Sequence, residues 1–139
     1  MKIVVTEDLA ACHALRRTVF IEEQNVPEEL EIDDLDEIAI HLLAFLDDRP
    51  VGTARLFVKG EVGKIGRVCV LPEARGTGLG AALIRAALDS LRATPGIRQA
   101  KLGAQVSAIG FYEKLGFTAQ GPIYDDAGIP HRDMVHPLP

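Results

Sequence analysis

Cysteine is nearly missing from this sequence: Cys12 and Cys69 are the only two, far apart, with no CxxC or zinc-type spacing. No disulfide framework and no metal site follow from them. Cys12 falls in an apparent helix and Cys69 in an apparent strand, and each reads as a small buried hydrophobe. Basic charge is short as well, with 15 Lys and Arg against 20 Asp and Glu and a net charge of −5. The bases are scattered, whereas a duplex-binding domain needs a basic face, so no nucleic-acid partner is expected. No apolar run approaches the roughly 20 residues that span a bilayer, and Glu7 and Asp8 come too early for a secretory leader. No membrane association and a reducing cytoplasm are therefore the expectations. Internal repeats, low-complexity tracts and linkers are all lacking, which predicts a single domain over residues 1–139.

What is present suits such a domain. Hydrophobic residues make up 47% of the chain and charged ones 25%, an ordinary globular balance with material for a core. Ile3-Val4-Val5 reads as a short strand. Thr6 offers an N-cap, and Leu9, Cys12, Ala14, Leu15, Val19 and Phe20 have helical spacing over about four turns. Pro27 breaks that pattern, and the acidic stretch to Glu37 reads as a loop or short second helix. His41 to Leu46 and Val51 to Val58 form a predicted hairpin around Asp47-Asp48-Arg49-Pro50. A turn at Lys59-Gly60-Glu61 leads into Val62 to Leu71, the most β-branched run in the chain.

A helix follows, with Leu79, Leu83, Ala86, Ala87, Ser90 and Leu91 on one face, stopped by Thr94-Pro95-Gly96. Gln99 to Ala104 is a further strand. Ser107 is the predicted N-cap of a short helix through Leu115, with Gly116 at its C′ position. Two more strands fall in the tail, Phe117 to Pro139, around a turn at Tyr124 to Gly128. The order is strand, helix, three strands, helix, strand, helix, strands. Antiparallel pairs with one crossover predict an α/β or α+β layered fold: a mixed, mostly antiparallel sheet flanked by helices.

The segment that carries chemistry is Arg75-Gly76-Thr77-Gly78-Leu79-Gly80, three glycines at alternate positions between a buried strand and a helix. Glycine permits positive φ and lets a ligand reach the backbone. The first turn of the next helix has unpaired N–H groups and a positive dipole end, and Arg75 adds a cation. Together they suit a pyrophosphate. A P-loop would need GK[ST], but Ala81 and Ala82 follow Gly80. A dinucleotide fingerprint would need an acid about 20 residues on, and Gln99 to Ala104 contains none.

This loop resembles the Q/R-x-x-G-x-G/A pyrophosphate loop of the GNAT superfamily of N-acetyltransferases. A second block, Ser107 to Phe117, is similar to the "FYxxxGF" helix-and-strand signature of that family, in the right order and separation. Leu15 to Gln24, with Asp33, Asp36 and His41 behind it, is similar to the "LRxxVFxxEQ", "D-x-x-D" and histidine pattern of the ElaA-like subgroup.

The resemblance implies a ternary complex in which a primary amine attacks acetyl-CoA directly. Arg75, Gly76, Thr77, Gly78, Leu79 and Gly80 would bind the pyrophosphate, and Val68, Cys69 and Val70 would offer backbone groups to the pantetheine arm. Tyr112 would protonate the departing thiolate. No metal is implied, direct transfer needs no acylated Cys69, and a homodimer is the family expectation. The acceptor, a small-molecule or peptide amine, is not named by the sequence. Candidates for binding or deprotonating it are Glu22, Glu23, Asp33, Asp36, His41, Arg67 and His131. The acidic early segment leans toward a small cationic amine, although such a run is more often a solvated face, and a histidine in a strand more often serves structure. A CoA-binding regulatory module with little catalysis and a nucleotide-binding protein are the competing readings.

Overall fold

The computed structural model describes residues 1–138; Pro139, the last residue of the domain span, lies outside them. β1 (Lys2–Thr6) leads into α1 (Leu9–Arg16), which continues for another seven residues, Arg17–Glu23, with π-type bonding. Asp8 caps α1 by accepting from the Ala11 amide at 3.1 Å. Thr6, expected in that role, ends β1 and instead accepts from the Asp8 amide at 3.0 Å. The acidic stretch folds as a single turn of α2 (Glu28–Glu31) and a 3₁₀ turn over Asp34–Glu37.

β2 (Ile40–Leu46) and β3 (Arg49–Lys59) make the expected hairpin. Its loop is only Asp47 and Asp48, both at positive φ (49° and 62°), the conformation that matches the twist of the strands. Arg49 and Pro50 already pair with Leu46 and Phe45. β4 (Val62–Val70), α3 (Leu79–Arg92), β5 (Gln99–Gln105), α4 (Ile109–Glu113), β6 (Thr118–Asp126) and β7 (Ile129–Pro137) complete the chain. Ser107 does not cap α4. It lies in a 3₁₀ turn over Val106–Ala108, and α4 starts without a side-chain cap. The far end of α4 follows the sequence reading. Gly116, at φ +98°, lets its amide bond Glu113 O and the Phe117 amide bond Tyr112 O, a Schellman closure sealed by Tyr112 against Phe117. The last turn is Ala127-Gly128, so Tyr124 sits inside β6.

The sheet runs β1-β2-β3-β4-β5-β7-β6, antiparallel except for β4 beside β5. α3 buries Leu79, Leu83, Ile84, Ala87, Leu88 and Leu91 in a core with Leu42, Ala44, Val51, Ala54 and Leu56. Ala86 and Ser90, expected on that face, are half-buried, and Ile84 and Leu88 take the central places. Gly63 is where α3 presses closest: a Cβ there would fall 2.4 Å from Leu91. On the opposite face α1 and its π-type continuation pack Cys12, Leu15 and Val19 against Leu43 and Cys69.

Two irregularities in β4 create the site. First, β4 pairs with β5 only from Val62 to Lys64, and beyond that the strands part. Second, Thr53 faces Cys69 and Arg55 faces Gly66, so Arg67 and Val68 together oppose Ala54. This is a β-bulge, with Arg67 at φ +50°, and a bulge leaves backbone groups out of the ladder.

Candidate active site

Between the parted strands lies a cleft of about 430 Å³. One wall is β4 from Ile65 to Val70. The other is β5 with Tyr112 of α4 and the β6–β7 hairpin, and the π-type segment with Val26 closes over them. The glycine loop stands at one end. Gly76 and Gly78 have φ of +78° and +85°, and nothing lies within 4 Å of where their Cβ atoms would be. Their need is therefore conformational, and the space beside them is free. Thr77 Oγ1 donates to Ala74 O at 2.6 Å and accepts from the Leu79 amide at 3.3 Å, which holds the loop's shape. Among the described residues the amides of Gly76, Thr77, Gly78, Gly80 and Ala81 have no protein acceptor. Five free donors at the start of a 14-residue helix form an anion cradle.

Arg75 at the rim is already engaged. Its Nη1 and Nη2 donate to Glu23 at 2.7 and 2.6 Å, and Nε donates to Val70 O at 3.0 Å. That hydrogen-bonded guanidinium holds the Glu23 carboxyl below its ordinary range. Glu23, a candidate for the acceptor, thus sits at the glycine-loop end of the cleft. The adjacent Gln24 reaches β5 and accepts from Gln105 Nε2 at 3.0 Å. The consecutive Glu-Gln pair therefore ties this end of the helix to the glycine loop and to β5. Val19 and Phe20 of the π-type segment line the cleft, a placement π segments often have at functional sites.

Asp33 and Asp36 belong to an ion network with Glu31. Arg16, 1% exposed, donates to Glu31 and, at 2.8 Å, to Asp36. Arg55 donates to Asp33 at 2.7 Å and Asp36 at 3.1 Å. Arg67 donates to Asp33 at 3.2 Å and to Glu31 O at 2.9 Å. His13 Nε2 lies 2.9 Å from Asp36, and His41 Nε2 lies 2.8 Å from Asp36 O. Burial alone would raise the Asp36 pKa, but hydrogen bonds from Arg16, His13 and Arg55 outweigh it and hold the carboxyl well below its ordinary 3.8. Asp33 is lowered in the same way by Arg55. A carboxylate so stabilised is a poor proton acceptor, since an effective base has a pKa near the working pH. Asp33, Asp36 and His41 do not line the cleft, and exposed Glu22 does not either; Arg67 and His131 do.

Tyr112 is 8% exposed and packs edge-on between Phe111 and Phe117, centroids 5.0 and 5.8 Å away. Its hydroxyl has no protein partner among the described residues, and its side chain lines the cleft. Burial raises its pKa to about 12, so it is a protonated donor near neutral pH. Cys69 also lines the cleft, but burial pushes its thiol up to about 12, leaving almost no thiolate.

Glu31 and Tyr124 are cleft residues that the sequence reading passed over. Glu31 was one acid among nine in the early stretch, and Tyr124 was assigned to a turn. Nothing local distinguishes either, because their neighbours come from distant segments.

Comparison with known proteins agrees with this geometry. The acetyltransferase (GNAT) domain family matches residues 6–138. The uncharacterised N-acetyltransferase YjcF of Bacillus subtilis is 37% identical over 139 residues, covering 97% of this chain and 99% of its own. Protein ElaA of Escherichia coli is 34% identical over 130 residues, covering 91% and 85%; its crystal structure superposes with a TM-score of 0.88 over 98% of this chain and 99% of ElaA. An acyl-CoA N-acyltransferase from Pseudomonas aeruginosa superposes with a TM-score of 0.87, at 29% identity and 98% and 99% coverage. Among the described residues no helix is long and apolar enough to cross a membrane.

Proposed function

The chain belongs to the GNAT acetyltransferase family, and from that premise we propose that it moves the acetyl group of acetyl-CoA to a primary amine by direct attack. The observation that carries the reading is the parting of β4 from β5 beside a cradle of five unpaired amides. A thioester with a long pantetheine arm and a pyrophosphate needs both features together: an open strand edge for the arm and an anion site at its end. In this reading Gly76 to Gly80 and Arg75 hold the pyrophosphate, and Val68, Cys69 and Val70 present main-chain groups to the arm. Tyr112 protonates the sulfur as the C–S bond breaks. A phenol at about 12 is a weaker acid than an ordinary thiol. The transfer becomes feasible because a thiolate expelled into the same desolvated cleft holds its proton more tightly as well. The acceptor is a small or peptide amine, and the exposed Asp126 on the cleft wall favours a cationic one.

Thermal unfolding with acetyl-CoA, CoA, NAD and ATP added separately tests the donor site. A ligand at about 100 times its Kd adds roughly 2.7 kcal/mol, a shift on the order of 10 °C at this size. Shifts with acetyl-CoA and CoA are expected. A shift with NAD or ATP and none with CoA would move the assignment to a nucleotide-binding protein.

In the same reading Glu23 competes with the pyrophosphate for Arg75. Glu23→Gln is therefore expected to tighten CoA binding about two- to fivefold, the scale of an exposed ion pair, measured by titration calorimetry. Weaker binding would instead assign Glu23 to orienting Arg75.

A further inference from the structure

Acyl transfer to an amine needs a group that takes the amine's proton, and the cleft offers few. Its carboxylates are Glu31, held by Arg16 and Arg67, and Asp126, an exposed group on the hairpin. Of the four histidines, only His131 lines the cleft. It sits at the start of β7, opposite Gln105 of β5, where β5 gives way to the turn that leads into the Tyr112 helix. Both ends of the proton path therefore border one cavity.

The ring of His131 is fixed in a defined way. Nδ1 lies 2.7 Å from Ile129 O, and a carbonyl can only accept, so the proton of the neutral ring is on Nδ1. Nε2 is then the free nitrogen and carries the lone pair. Tyr124 stacks on the imidazole, with centroids 6.0 Å apart and planes at 25°. Tyr124 is itself anchored, donating to Asp133 Oδ1 at 2.8 Å. Its hydroxyl lies over Gly103, where a Cβ would fall 2.4 Å away. Gly103 is thus small so that Tyr124 can reach across β7 and hold the imidazole. Tyr124 faces the ring from β6, and Asp126 of β6, Gln105 of β5, Tyr112 of α4 and the Glu31–Arg67 pair line the same cleft.

We infer that His131 is the general base of the reaction, with Tyr124 and Gly103 as positioning residues; the inference rests on the acetyl-transfer reading above. The amine nitrogen bonds the acetyl carbon, and its proton passes to His131 Nε2. The C–S bond breaks, and Tyr112 gives its proton to sulfur. The imidazolium then returns a proton to the Tyr112 phenolate through water. One N–H proton ends on the thiol of CoA, and both residues are restored.

The test needs no knowledge of the acceptor, because slow hydrolysis of bound acetyl-CoA uses water in the amine's place and demands the same proton removal. His131→Asn keeps an N–H donor near the Nδ1 position for Ile129 O and removes Nε2. It is expected to lower protein-catalysed hydrolysis at least tenfold while the thermal shift with acetyl-CoA stays at the wild-type value. Nitrogen NMR of labelled wild-type protein should show the proton of the neutral His131 ring on Nδ1. An unchanged hydrolysis rate in His131→Asn, no hydrolysis above buffer in wild-type protein that binds acetyl-CoA, or a proton on Nε2 would each overturn the assignment. Absence of any acetyl-CoA shift would remove the acetyl-transfer reading itself, a separate outcome.

Discussion

Tyr112→Phe is expected to lower kcat by about 10²- to 10⁴-fold, the usual range for loss of a general acid, with acyl-CoA affinity unchanged. Among the described residues the hydroxyl has no protein partner, so its removal leaves no orphaned group. The ring contacts with Phe111 and Phe117 survive in phenylalanine, and the midpoint of thermal unfolding should not fall. An interaction made only as sulfur leaves appears in kcat and kcat/KM together, with no separate change in substrate binding. The measurement is thiol release from acetyl-CoA with an amine drawn from a screen, beside calorimetric CoA binding. An unaltered kcat would transfer the proton donation to water and make Tyr112 a packing residue. Loss of CoA binding would show that the substitution disturbed the donor site.

Arg16→Met is expected to destabilise the fold by about 3–5 kcal/mol, the range found when one partner of a buried ion network is removed. Arg16 is 1% exposed, and its guanidinium faces both Glu31 and Asp36, 4% and 7% exposed. Methionine fills much of the volume but leaves two buried carboxylates with less compensation. Such a loss is a large part of the 5–15 kcal/mol typical of a domain. Urea unfolding should show a lower midpoint with the slope nearly unchanged. A loss under about 1 kcal/mol would mean that Arg55, Arg67 and His13 suffice without it. The same network sets the acid limit of the wild type. Asp36 and Asp33 have folded pKa values below the ordinary 3.8. Their stabilisation is complete above that value and is lost as pH falls below it toward the folded values.

The network also explains why β4 can carry a bulge at its most functional point. Arg67 adopts positive φ, costly for a long side chain, and its guanidinium is anchored by Asp33 and the Glu31 carbonyl. The bulge takes the β4 backbone out of its ladder beside Val68 to Val70, where the pantetheine arm is proposed to lie.

Local signals were enough for the glycine loop, the α3 stripe, the Gly116 helix end and the order of strands. Each depends on bonds between residues a few positions apart or on a repeating apolar pattern, so it is written within one segment. The β2–β3 and β6–β7 hairpins follow from that order, because short loops join antiparallel neighbours, and the helix α3 between β4 and β5 suits their parallel pairing. The acceptor side follows different physics. Charge in the segment from Glu22 to Glu37 leaned toward a cationic substrate, yet tertiary packing brings Arg16, Arg55 and Arg67 from three other elements onto Glu31, Asp33 and Asp36. The parting of β4 from β5, the closure of Glu23 on Arg75 across 52 positions and the stacking of Tyr124 on His131 are likewise relations between distant residues. The chain by itself determined that a glycine loop would open a helix on an α/β sheet. Only folding decided which of its acids and histidines stay free to do chemistry, because a side chain's charge and hydrogen bonds depend on what the fold sets against it.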